Sequence, residues 1–274
     1  MAHIILFGNA KGGSGKTTIA MHLIVTLLKL GFKVASIDID MRQASLTSYI
    51  KSRKNTSESE NLELLIPVHF KMMKDYDINK GVEYTQEDIK DFESLIKQLN
   101  NKYDFIIIDT SENDNILNRY AHYLADTIIT PINDSFLDVD LLCKVDHKDY
   151  TKAIPSIYSS MIWEQKKHKA SKKKREIGWV VVRNRLPAID VINKKNIASV
   201  IAHLGKRLGF SVASGFGDRV IFKELFLNGL TLLDTEKINK QIKITTSIIA
   251  ARQELREFIL SLKLIELNRK LQRH

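Results

Sequence analysis

The residues most able to do chemistry lie near the N-terminus, in a glycine-rich run between two predicted elements. Residues 8–18 read GNAKGGSGKTT and contain two lysines, Lys11 and Lys16. The run follows the apolar residues 4–7 and precedes an amphipathic helical pattern over residues 19–30, which is the context of a phosphate-binding loop. Glycines let backbone N–H groups converge on phosphate oxygens, and the helix N-terminus adds partial positive charge. The sequence therefore favours a phosphate site over a solvated glycine-rich turn.

Individual side chains in this run suit a nucleoside triphosphate. The Lys16 ammonium can reach the β- and γ-phosphates, and the Thr17 hydroxyl is placed to bind Mg²⁺. The strict form of the motif requires glycine at position 10, where this chain has Ala10. The expected cofactors are ATP and Mg²⁺. Four further positions in the loop are expected to bind the cofactor: Gly12, Gly13, Gly15 and Thr18.

Aspartates follow two predicted strands. Asp38 ends the strand over residues 33–38, Asp40 lies two residues beyond it, and Asp109 ends the strand over residues 103–109. Carboxylates at the C-terminal ends of parallel strands lie where α/β proteins bind ligands. Apolar residues followed by an aspartate are typical of a magnesium site, so Asp109 is expected to hold Mg²⁺ through a water. The alternative is that these carboxylates are solvated strand ends.

The early lysine carries a resemblance to a known family. The variant K-G-G-x-G-K-T resembles the deviant Walker A motif of the ParA/MinD group of ATPases, with Lys11 at its signature position. The resemblance implies a nucleotide sandwich homodimer in which Lys11 reaches the partner's ATP. Gly12 would let the subunits approach closely. The D-x-D motif of the group implies that Asp40 orients the attacking water, a task that needs in-line placement more than a strong base.

Longer runs resemble the MipZ branch, the division-plane positioning ATPases. They lie at residues 119–126, 130–136, 179–186 and 217–226, and the resemblance covers about residues 1–235. It implies an ATP-dependent dimerising switch in bacterial cell division, with nonspecific DNA, a ParB-like protein and FtsZ as partners.

The same resemblance implies roles for residues in the second half of the chain. Asn184, which follows a predicted strand, would read the adenine edge, since an amide supplies one donor and one acceptor. The DNA-binding candidates are Arg185, Lys194 and Lys195. Phosphate contact needs only charge on one face, so solvation of a helix face is the alternative for each of them.

One segment departs from the family pattern. Where the family reads close to D-T-P-G-G, this chain reads DTSEND over residues 109–114, without the proline or the glycines. Glycine there lets the backbone move close to the γ-phosphate, whereas Glu112 brings negative charge. The resemblance therefore predicts neither how fast this chain would hydrolyse ATP nor how this segment would move.

Composition limits the function class. The chain of 274 residues has 42 Lys+Arg against 32 Asp+Glu, a formal charge of +10, which favours an anionic partner. A single cysteine excludes an internal disulfide and fits a reducing compartment. The chain opens directly into a strand pattern and has no apolar run near the roughly 20 residues of a membrane span. We expect a cytoplasmic, nucleoid-associated bacterial protein.

The expected fold is α/β, a P-loop NTPase domain over residues 1–235 with a mostly parallel sheet and helices on both faces. Residues 236–274 are expected to form a C-terminal helical extension that packs on the core or binds a membrane or another partner. Residues 85–99 are predicted to form a helix capped by Thr85, and residues 135–146 a further helix. Residues 51–61 and the basic run 166–175 are predicted to be loops, the second either solvated or touching nucleic acid or a partner.

Other classes remain open. A ParA-type DNA-segregation ATPase would use the same chemistry, and a MinD-like ATPase would use a basic C-terminal helix at a membrane. A metabolic or redox member of the fold is disfavoured, because the single cysteine cannot provide the ligands of an iron–sulfur cluster.

Overall fold

The computed structural model describes residues 1–72, 84–146, 149–187, 192–236 and 245–264, together with Leu267 and Lys270. The strands are β1 His3–Phe7, β2 Val34–Asp38, β3 Val68–Lys71, β4 Phe105–Asp109, β5 Thr127–Asn133, β6 Cys143–Asp146, β7 Asp149–Pro155, β8 Gly178–Asn184 and β9 Ser211–Ala213. The helices are α1 Lys16–Lys29, α2 Ser45–Ser59, α3 Gln86–Asn100, α4 Ile116–Leu124, α5 Phe136–Val139, α6 Ile157–Lys173, α7 Ile192–Leu208, α8 Ile221–Leu227 and α9 Thr246–Ser261.

Within the described residues, seven parallel strands form one sheet in the order β3-β2-β4-β1-β5-β8-β9. The first strand lies in the middle, between β4 and β5, which explains why it is apolar throughout. Strands β6 and β7 form a separate antiparallel pair. The predicted α/β fold with a mostly parallel sheet is confirmed.

Helices cover both faces of the sheet. Alternate residues of β1 point to opposite faces, so Ile4 and Leu6 pack with α3, α4, α6 and α7, whereas Ile5 and Phe7 pack with α1, α2, α8 and α9. All of these β1 side chains are buried. Because both faces are covered, the carboxyl edge of the sheet is the accessible place for ligands.

The C-terminal segment packs on the core through α9. Its apolar residues Ile248, Leu255 and Phe258 are buried among those of α1 and α8. Within the predicted extension over residues 236–274 the structure shows the helix Thr246–Ser261, and residues 237–244 lie outside the described residues. No helix in the described part of the chain is long and apolar enough to cross a membrane.

Two predicted loops are helices. Residues 51–59 belong to α2, because Leu46, Tyr49, Ile50 and Arg53 are buried at helical spacing. The Arg53 guanidinium is fully buried and forms a bidentate ion pair with Asp234, with N–O distances of 2.7 and 2.9 Å. Because the charges of Arg53 and Asp234 compensate each other, the polar residues 51–59 can form a helix that packs on the core.

The basic run is helical up to Lys173, the last residue of α6. Lys169, in its middle, is buried and its ammonium donates to the carbonyls of Leu124 and Ala125 and to the Asp126 carboxylate. These contacts satisfy the three donors of the ammonium, which stabilises a helix where the sequence predicts a loop.

The predicted helix over residues 135–146 is also wrong. Only the single turn α5 is helical, after which residues 143–146 enter β6 and bury Cys143. The predicted cap of α3 is present: Thr85 and Asp88 form a capping box.

Candidate functional site

The predicted site residues converge at the carboxyl edge of the sheet. Asp109 pairs in register with Phe7 on β1 and with Asp38 on β2, so the ends of three neighbouring strands lie side by side. The glycine-rich loop leaves the first of these ends and leads directly into α1. The topology therefore brings the loop and the aspartates together, as the sequence predicts.

The backbone of the loop depends on two glycines. Gly13 has φ +70° and Gly15, the N-cap of α1, has φ +94°, a region that favours glycine. A Cβ on Gly15 would lie 2.2 Å from Asn184 Nδ2. The Lys16 side chain is mostly buried, and its ammonium donates to the Lys11 carbonyl at 3.3 Å, which holds it inside the loop.

A cavity of about 190 Å³ lies against this loop. It is lined by residues 12–18 and, across from them, by Asp40, Gln43, Thr110 and Glu112. Backbone donors and a lysine on one side, with the helix N-terminus behind them, suit the phosphates of a nucleotide. All of the loop positions expected to bind the cofactor line this cavity.

Thr17 and Asp109 place a hydroxyl and a carboxylate side by side next to the cavity. Thr17 Oγ1 donates to Asp109 Oδ2 at 2.7 Å, while the buried Asp109 Oδ1 has no partner among the described residues. Burial, reinforced by the nearby Asp38, raises the pKa of the Asp109 carboxyl to about 7. A hydroxyl and a carboxylate with an unsatisfied buried oxygen fit Mg²⁺, which prefers oxygen ligands. When bound, the ion would supply the positive charge that this acidic corner lacks.

The two aspartates after β2 have different surroundings. Asp38 is buried and accepts hydrogen bonds from the Thr47 amide and hydroxyl and from the Asp40 amide. Burial raises the pKa of Asp38 despite these bonds. Asp40 accepts from the amides of Arg42 and Gln43 and lines the phosphate cavity. Asp38 thus shapes the turn, and Asp40 is the carboxylate placed to meet a ligand.

Lys11 is directed away from its own loop. Its ammonium lies 3.1 Å from Asp138 Oδ2, while its side chain remains 43% exposed and that of Asp138 only 3%. Asp138 is held in turn by the Ser135 hydroxyl at the start of α5. Lys11 is therefore at the surface of the subunit and is more exposed to solvent than Lys16.

A second cavity of about 360 Å³ adjoins the first and shares Gly15, Thr18, Arg185 and Phe226 with it. Its further lining includes aromatic and charged residues: Phe216, Phe222, Asp218, Arg219 and Lys223. A largely apolar cavity with aromatic side chains next to a phosphate site suits a nucleobase and its ribose. The sequence did not single out these aromatic residues, although the run 217–226 contains most of them.

Asn184 lies where the two cavities meet. Its amide Nδ2 donates to the Ser14 carbonyl at 2.9 Å, which ties β8 to the phosphate loop, and the residue also lines the second cavity. The adenine-reading role stays a prediction.

Of the three DNA-binding candidates, Arg185 is the one whose side chain belongs to the described part of the structure. Arg185 is exposed, has φ +53° and lines both cavities, so it lies at the nucleotide site itself. Lys194 and Lys195 lie in the first turn of α7, and their side chains are outside the described part of the chain.

Glu112 places a carboxylate at the phosphate cavity. Its carboxylate lies directly over Gly12, so that a Cβ on this glycine would be 2.4 Å from Glu112 Oε2. The side chain is exposed and lines the phosphate cavity. The segment that departs from the family pattern therefore contacts the loop that matches it.

Similar proteins share this architecture. Apo McdA of Cyanothece is 16% identical, with a TM-score of 0.63 over 96% of this chain and all of that one. MinD of Pyrococcus horikoshii OT3, solved with Mg-ADP, is 17% identical, with a TM-score of 0.58 over 93% of this chain and 94% of that one. At these identities the likeness shows the fold.

Curated relatives match over part of their length. The chromosome partitioning protein ParA of Myxococcus xanthus (strain DK1622) is 24% identical over 164 residues, covering 54% of this chain and 58% of that protein. Three further curated relatives are covered over 18%, 41% and 61% of their own length. The family model described as ATPase MipZ matches residues 3–266, and the chain belongs to this family.

Proposed function

We propose that this protein is an ATP-hydrolysing switch that dimerises around ATP. The observation that carries the proposal is the different placement of the two lysines: Lys16 is held inside the phosphate loop, whereas Lys11 is at the surface, 3.1 Å from Asp138. A lysine outside its own cavity is available to a second subunit. A C2 dimer would place each Lys11 at the opposite phosphate site.

Each remaining part of the site has a role in this proposal. Lys16 and the loop amides bind the phosphates, Thr17 and Asp109 hold Mg²⁺, and Asp40 orients the attacking water. The aromatic cavity beside Asn184 takes the adenosine. Binding of Mg²⁺ would neutralise the carboxylates that otherwise oppose a triphosphate.

The biological role that fits the family is positioning in bacterial cell division. The ATP-bound dimer would bind DNA nonspecifically, meet a ParB-like protein and regulate FtsZ, in the cytoplasm and on the nucleoid. The formal charge of +10 supports an anionic partner. A ParA-type segregation ATPase is the second candidate, favoured by the match to ParA of Myxococcus xanthus. A membrane role is less supported, because α9 buries most of its apolar residues on the core, although Ile249 and Leu260 are exposed.

The mass in solution tests the switch. We expect Asp40→Ala with ATP to be a stable dimer, because it binds ATP without orienting the attacking water. We expect Gly12→Val to stay monomeric, since a side chain at this position already meets Glu112 and would hinder a second subunit. A fluorescent ATP analogue should still bind to Gly12→Val, which would show that the variant has lost dimerisation and not nucleotide binding. If Asp40→Ala binds ATP and is still a monomer at micromolar concentration, the switch proposal is wrong.

DNA binding is tested by its salt dependence. Affinity for a random duplex should fall steeply between low and physiological salt, and Arg185→Ala, Lys194→Ala and Lys195→Ala should each reduce the slope by about 1. Lys97→Ala, an exposed lysine on α3, is the matched control. An affinity that salt does not change would exclude phosphate contacts as its source.

A further inference from the structure

A groove between α6 and α7 has no role in the nucleotide site. Its volume is about 390 Å³, and it lies on the sheet face opposite α1 and α9. Apolar residues form much of its lining, and cations stand at its rim. The residues that matter for its chemistry are Pro155, Trp163, Lys167, Leu204, Arg207 and Leu208.

The walls of the groove are held in place before anything binds. The Trp163 indole is 40% exposed, and its N–H donates to the Leu208 carbonyl at 3.0 Å. On the same helix, the Lys166 ammonium donates to the Gly209 carbonyl at 3.0 Å, just past the end of α7. Both bonds join α6 to the C-terminus of α7. A preformed groove loses little conformational entropy on binding.

An exposed apolar strip continues from the groove towards the start of α6. Ile157 is 80% exposed and lies two turns before Trp163 and Glu164, while Ile154 is 66% exposed just before Pro155. Exposed large apolar side chains next to an aromatic groove are typical of a surface that a protein partner covers.

The charge around the groove is positive. Lys167 lies over the Trp163 ring with its ammonium 5.0 Å from the centroid, and Arg207 stands on the other wall. Exposed cations follow at residues 172–175, at the end of α6 and just beyond it. The acidic residue of the lining, Glu164, is already 3.4 Å from Arg119. An apolar groove with this rim complements a partner with carboxylates beside apolar side chains.

Other occupants fit less well. The chain's own C-terminal residues 263–274 contain four Lys or Arg and one Glu, so their charge repels the rim. Duplex DNA would use the cations but leave the apolar lining uncovered. Stacking of a single-stranded base is hindered, because Lys167 covers one face of the Trp163 ring.

We propose that the groove between α6 and α7 binds an acidic amphipathic helix of a partner protein. Its apolar side chains cover Trp163 and the wall made by Leu204 and Leu208, as a helix does in an apolar groove. Its carboxylates meet Lys167 and Arg207 at the rim. The basic run of the sequence is thus part of a protein-binding surface, and this surface is separate from the nucleotide site.

A designed peptide tests the proposal on the full chain. The probe is a fluorescein-labelled helical peptide of about 18 residues, with leucines at i, i+3, i+7 and i+10 flanked by glutamates. We expect it to raise the fluorescence anisotropy and to shift the emission of Trp163, which is exposed, whereas Trp179 is buried. Trp163→Ala and Lys167→Glu should each weaken binding about tenfold. Lys97→Glu on α3 is the control for charge alone and should leave binding unchanged.

Matched peptides make each outcome decisive. Lysine in place of glutamate should abolish binding, and serine in place of leucine should weaken it strongly. Nucleotide binding should be unchanged in Trp163→Ala and Lys167→Glu, which also shows that both variants are folded. Equal binding of the acidic and basic peptides, or binding that neither variant changes, would overturn the proposal. If duplex DNA displaces the acidic peptide and Lys167→Glu also weakens DNA binding, the surface would be assigned to nucleic acid instead.

Discussion

The phosphate loop and the segment 110–115 border the same cavity but are built differently. The loop is shaped by backbone, with left-handed glycines at Gly13 and Gly15. The segment is fixed by side chains: Asn118 Nδ2 donates to Ser111 Oγ at 3.0 Å and also to the Asn113 carbonyl. At the C-terminal end of the segment, the Arg119 guanidinium of α4 forms a bidentate pair with the Asp114 carboxylate, with both N–O distances 2.7 Å.

The difference separates two tasks: phosphate binding, which depends on the loop, and the response to the γ-phosphate, which depends on the segment 110–115. Phosphate binding needs backbone donors that any chain can supply if its glycines are in place. The response to the γ-phosphate depends on what stands across the cavity, and here that is the Glu112 carboxylate over Gly12. Changes in the loop should therefore affect all nucleotides, whereas changes in the segment should distinguish ATP from ADP.

The largest effect is expected for Lys16→Ala. Loss of the buried ammonium removes the charge-assisted contacts to the phosphates, and we expect the affinity for both ADP and ATP to fall about 100-fold or more. Titration with fluorescent nucleotides measures it. Lys29→Ala, in the exposed last turn of the same helix, is the matched control. Near-normal affinity in Lys16→Ala would mean that the loop does not bind phosphate through this lysine.

A smaller and selective effect is expected for Glu112→Gly. Removal of a carboxylate from the phosphate cavity should raise the affinity for ATP about threefold to tenfold, with less change for ADP, because the γ-phosphate brings the additional charge. Glu112→Gln keeps the size and should give the part of the gain that is due to charge. Equal gains for the two nucleotides would show that the segment does not sense the γ-phosphate.

The third effect concerns folding stability and the buried His22, which contacts the first turn of α1 behind the phosphate loop. His22 is fully buried: its Nδ1–H donates to the Thr18 carbonyl and its Nε2 accepts from the Leu232 amide. Burial lowers the pKa of His22 to about 4; the nearby Asp234 raises it and Arg53 lowers it further. The unfolded chain, with a pKa near 6.5, binds the proton first. Stability is therefore lost as the pH falls from about 6.5 towards 4.

Between pH 7.5 and 5.5 this single group should lower the free energy of unfolding by about 1 kcal/mol. Burial also lowers the pKa values of His69 and His122 to about 4, so the test compares the wild type with His22→Asn by urea unfolding at both pH values. His203→Gln, at an exposed position on α7, is the control. An unchanged pH dependence in His22→Asn would exclude this residue as the source.

Local signals in the sequence predicted where the glycine-rich loop and the aspartates lie in the fold. The loop, Asp40 and Asp109 follow strands whose apolar runs are unambiguous, and the parallel topology brings their ends together without further information. The length of α6 was not predictable, because the groups that satisfy Lys169 lie 43 to 45 positions away. The aromatic cavity was missed for a similar reason: Phe216, Phe222 and Phe226 have the periodicity of core residues, and only the fold shows that they face a cavity.

The central position of β1 has a consequence for how the protein is made. Thr17 and its partner Asp109 are 92 positions apart, and Ser14 and Asn184 are 170 apart. The phosphate loop is thus synthesised well before the segments that support it. Pairing over such distances slows folding. If the loop binds nucleotide as proposed, nucleotide would stabilise only a chain that already extends past Asn184, so it would act late in folding, once the sheet has assembled.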